Sequence, residues 1–114
     1  MASQGPDTSR FYPGTEWSWT WRVTDQNGAV VDVHLDTITL YLVHGGTTHS
    51  FVGDVATAGA SGDVIFSLDA TETGAIAAGV YTAELVWHPS GDATREQIPY
   101  RSTGWTVPAR ATPV

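Results

Sequence analysis

The chain has no cysteine, so a disulfide framework, a thiol nucleophile and a cysteine-ligated zinc are all excluded. It also has no lysine: its five basic residues are arginines, set against twelve acidic ones for a net charge of −7. That sign opposes the basic footprint of a nucleic-acid binder. No apolar run is long enough to span a bilayer, and "MASQGPDTSRFYPG" has neither the basic start nor the apolar stretch of a secretory leader. A G-x-S-x-G elbow, a P-loop and a dinucleotide glycine fingerprint are absent as well. The 114 residues suit one domain, and the 41% apolar fraction is that of an ordinary globular protein.

What the chain does have is a period of two. In "EWSWTWRVTD", Trp17, Trp19, Trp21 and Val23 fall on one face, with Ser18, Thr20, Arg22 and Thr24 on the other. "DTITLYLV" puts Ile38, Leu40 and Leu42 opposite Thr37, Thr39 and Tyr41, and Gly45-Gly46 turns the chain into "TTHSFVG". "DVIFSLDA" sets Phe66 and Leu68 on one face, and "VYTAELVWH" does the same for Tyr81, Leu85 and Trp87. "AVVDVHL", "TREQIPY" and "GWTVPA", with Trp105, add short extended runs. Only "TETGAIAAG", residues 71–79, reads as helical, for barely two turns.

Seven to nine short strands with turn signals between them predict an all-β, antiparallel β-sandwich with one short helical turn; a small barrel is the alternative. The domain spans 14–107, with extended arms at 1–13 and 108–114. The expected core is Trp19, Trp21, Val23, Ile38, Leu40, Leu42, Phe66, Leu68, Tyr81, Leu85, Trp87 and Trp105.

No constellation for chemistry emerges. His44 and His49 flank a turn, His34 and His88 stand alone, and no zinc-ligand spacing is present. The aspartates are scattered, and "DQNG" lacks the later ligands of a calcium loop. We expect no enzyme, metal or cofactor. Three aligned indoles exceed what so small a sandwich needs, so Trp17, nearest the N-terminal arm, is expected under a neighbouring subunit. Arg10, Phe11 and Tyr12 join it as candidate interface residues, since such types favour interface cores. The alternative for Phe11 and Tyr12 is that they cap their own sandwich. A solvent-facing indole platform for sugar rings, as in a carbohydrate-binding adhesion module, is the less favoured reading.

In order, Val23-Thr24-Asp25, Asn27-Gly28, Val31-Asp32, the strand from Thr37 to Leu42, and Thr73 to Tyr81 resemble the small immunoglobulin-like β-sandwich domain of tailed-phage virion proteins. That domain is found at the N-terminus of baseplate upper proteins and in tail or head accessory proteins. The resemblance covers about residues 15–88 and departs at "VHLDT", where the family has a Leu-Thr-Gly corner. It implies a virion structural protein without catalytic residues. Such a subunit docks in the tail, baseplate or fibre-attachment region onto other virion proteins and copies of itself, after synthesis in the cytoplasm of the bacterial host. A capsid decoration or minor capsid protein is the alternative location.

Overall fold

The computed structural model describes residues 11–109, and Arg10 and most of both expected arms lie outside them. Among the described residues, six strands and one short α-helix follow in order: β1 (Trp17–Arg22), β2 (Thr37–His44), β3 (Thr47–Val52), β4 (Asp63–Leu68), α1 (Ala70–Gly74), β5 (Gly79–His88) and β6 (Gln97–Val107). They form two antiparallel sheets, β1-β4 and β3-β2-β5-β6, the layers of an all-β sandwich.

Each inward row comes from the alternation in the sequence. β1 delivers Trp17, Trp19 and Trp21 to the core, with Trp19 opposite Phe66 and Trp21 opposite Val64 of β4. From the facing sheet come Ile38, Leu40, Leu42, Tyr81, Leu85 and Trp105, all buried, as are Val23 and Leu68. Trp87 departs from the expected core: it is half-buried at the rim, because its indole nitrogen donates to Asp36 Oδ2 at 2.8 Å and keeps one edge near solvent.

The strand count is lower than expected for two reasons. "AVVDVHL" forms no strand among the described residues. It makes one isolated bridge, Thr24–Val30, and then a turn in which the Asp32 carboxylate accepts from the His34 backbone N–H at 3.0 Å. The two runs at the C-terminal end merge into the single strand β6, accommodated by two register shifts against β5.

The helix is shorter than expected. Asp69 and Glu72 build a reciprocal capping box at its start, but it ends at Gly74, and Ile76 then turns fully into the core. Gly79 opens β5 rather than stopping a helix. At the N-terminus, Phe11 and Pro13 are buried, so the packed unit begins before residue 14.

Candidate interaction surface

The tryptophan stripe points inward along its whole length. Phe11 tilts against Trp17 with centroids 5.2 Å apart and meets Trp105 edge-on at 5.5 Å, while Trp19 stacks on Phe66 at 5.6 Å. Trp17 is only 8% exposed. The surface expected to lie under a neighbouring subunit is thus covered by this chain's own Phe11 and Trp105. Of the candidate interface residues among those described, Phe11, Tyr12 and Trp17, only Tyr12 stands out, 51% exposed.

That burial leaves the indole N–H groups of Trp17, Trp19, Trp21 and Trp105 without an acceptor among the described residues. An orphaned donor costs about 1–3 kcal/mol. Burying about 150–250 Å² of aromatic surface at about 25 cal/mol/Å² returns roughly 4–6 kcal/mol, so packing wins at each position. Such indoles have no face left to offer a sugar ring.

The polar residues are engaged locally. His44 Nδ1 lies 3.0 Å from the Val80 carbonyl oxygen, which makes that nitrogen the donor. His44 and His49 both come beside the ring of Tyr81, at 5.3 and 6.2 Å. The Tyr81 hydroxyl donates to Ala77 O, and burial pushes its pKa up. His34 pairs with Asp32 at 2.6 Å and His88 with Glu96 at 3.0 Å. The "DQNG" carboxylate, Asp25, accepts from the backbone N–H groups of Asn27 and Ala29, as a turn residue does. Among the described residues, no group of three or more His, Asp or Glu is placed to hold a metal ion.

Beside Trp17 lies a hollow of about 550 Å³ bordered by Glu16, Ser18, Asp69 and Glu72. Two of its three carboxylates are committed: Asp69 Oδ1 accepts from Glu72 N, and Glu72 Oε1 accepts from Asp69 N. They hold the start of α1 and do not converge as an acid/base pair.

The outer face of the four-stranded sheet is a different kind of surface. Alternation puts Thr48, Ser50 and Val52 of β3 there, beside Thr37, Thr39, Tyr41 and Val43 of β2 and Val80, Thr82 and Glu84 of β5, while Val86 on the same face is buried. Val52 is 72% exposed and Val80 54%. Glu84, the acidic residue among them, is neutralised by Arg101 Nε at 2.9 Å. The sequence carried a signal for this face in "TITLYLV", whose outward residues are uncharged and β-branched or aromatic, whereas the aromatic N-terminal residues drew attention elsewhere.

No protein-family model, curated protein or solved structure matches the chain.

Proposed function

We propose that the chain is a non-enzymatic structural subunit of a tailed-phage particle, an immunoglobulin-like sandwich that docks onto neighbouring tail, baseplate or fibre-attachment proteins. The sequence resemblance supplies the setting. One structural observation supports docking: the sheet face carrying Val43, Val52 and Val80 is threonine-rich and electrically balanced on a chain of net charge −7. A neutral, partly apolar face can be covered without stranding charge, and virion symmetry lets many modest interfaces act together. The surplus acidity elsewhere keeps free subunits soluble before assembly. The enclosed indoles favour this reading over a carbohydrate-binding module.

Mass spectrometry of purified tailed-phage particles from the source of this sequence tests the proposal. We expect the chain at defined stoichiometry with tail or baseplate proteins. Recovery with the capsid shell would move the location to the head, and recovery only in the host-cell fraction would refute the assignment.

A further inference from the structure

We infer that β3 is a self-pairing edge, through which two copies of the chain join antiparallel about a two-fold axis at Ser50, extending the sheet from four strands to eight. The inference deepens the docking proposal and rests on it only for the premise that copies meet.

The geometry of β3 starts at its turn. Gly45-Gly46 connects the paired residues His44 and Thr47, and the same register continues through Leu42–His49 and Leu40–Phe51. Just past the strand, Gly53 N donates to Ile38 O at 2.8 Å. The odd-numbered residues therefore bond towards β2, and the backbone N–H and C=O groups of Thr48, Ser50 and Val52 face away from it. Among the described residues, β3 has no other neighbour in its sheet.

The other edges are guarded. β6 carries Pro99, Arg101 and two register shifts. β1 is bounded by Glu16 and Arg22, and the outer side of β4 is closed by the reciprocal bonds between Asp54 and Ile65, at 2.8 and 3.0 Å. β3, "TTHSFV", has no proline, no Asp, Glu or Arg, and no break in register. A regular, uncharged edge is the kind that accepts another strand.

The partner that fits is a second copy. Centred on Ser50, the two-fold sets Ser50 against Ser50 and Thr48 against Val52, a β-branched cross-strand pair, with about six new backbone hydrogen bonds. It covers Val52, the most exposed apolar residue of the strand. Electrostatics decides for this seam on a chain of charge −7, because no carboxylate opposes another across it. The nearest in sequence, Asp54, would stand about 26 Å along the strand direction from its counterpart, well beyond a screening length of about 8–10 Å.

A cysteine-free chain gives this a clean test. Across the axis the Ser50 Cα atoms would lie about 5.5 Å apart, within the roughly 4.4–6.8 Å that a disulfide spans. The two Thr48 positions would be about 13 Å apart. Under diamide, Ser50→Cys should form a covalent dimer at least tenfold faster than Thr48→Cys. Ser50→Lys sets like charges opposite each other on an exposed site. It should shift the unmodified chain's concentration-dependent dimer to monomer in sedimentation while circular dichroism stays unchanged. Equal oxidation of the two cysteine variants, or a wild-type monomer at all concentrations, overturns the inference. Because purified chain alone is used, this result is separate from whether the chain enters particles.

Discussion

Trp17 stands edge-on to Trp105, their ring centroids 5.8 Å apart and their planes at 80°. The pair joins the first strand of one sheet to the last strand of the other, and Phe11 packs against both rings. This aromatic triad clamps the two ends of the described chain together. Phe11→Ala should therefore destabilise the isolated protein by about 3–5 kcal/mol, the usual cost of truncating a buried phenylalanine. Urea unfolding followed by tryptophan fluorescence measures it. A cost below about 0.5 kcal/mol, the range of ordinary surface changes, would restore Phe11 to the role of an interface residue.

Thr73 makes a second tie between the N-terminal approach and α1. Its hydroxyl, on a side chain with no exposed surface, donates to Thr15 O at 2.6 Å and accepts from Gly14 N at 3.1 Å. Thr73→Val keeps the shape and orphans both backbone groups. The expected loss is about 1–3 kcal/mol, larger than for Thr→Val at exposed Thr71, whose hydroxyl has no such role. Equal thermal midpoints for the two variants would show that the tie contributes nothing.

The paired strands were legible because one face of each is buried, and burial forces strict alternation. β1 and β2 show it plainly. The failures have a common cause in long-range packing. Residues 75–78 have fair helical propensity, yet burial of Ile76 ends α1 early. "AVVDVHL" is rich in β-branched residues, but Val33 alone is fully buried there, held by its N–H donating to Gly59 O at 2.9 Å. No local pattern reveals that Trp105, 88 residues away, covers Trp17, or that β3 rather than β2 lies at the edge of its sheet.

The Val33–Gly59 contact makes its own prediction. A Cβ on Gly59 would sit 2.8 Å from His34 Cα and 3.0 Å from His34 N, both backbone atoms that cannot rotate aside. Gly59→Ala should cost about 1–3 kcal/mol through overpacking. At Gly46, where none of the described residues comes within 4 Å, alanine should stay within about 0.5 kcal/mol of the wild type. Chemical denaturation of both variants gives the comparison, and matching midpoints would refute the close approach.

Acid should unfold the protein through its aspartates. Arg22 donates to both oxygens of Asp63, at 2.8 and 2.9 Å, and these hydrogen bonds hold the Asp63 carboxyl below its ordinary value of 3.8. Asp54 is lowered chiefly by the Thr57 hydroxyl, Asp92 by the Thr94 hydroxyl and Asp32 by the His34 backbone N–H. Unfolding removes these donors, so the unfolded chain binds protons more readily than the native one as the pH drops. The stabilisation is complete above the ordinary carboxylate range and disappears as pH falls through the lowered native values. The urea midpoint should hold roughly level between about pH 5 and 7 and decline below about pH 4. Asp63→Asn should lower the midpoint at neutral pH by a small amount, since the Arg22 side chain is 57% exposed and the pair is screened. The same variant should show a shallower acid decline, having one fewer carboxylate to protonate. An acid slope identical to that of the wild type would mean that the Arg22–Asp63 bridge does not persist in solution.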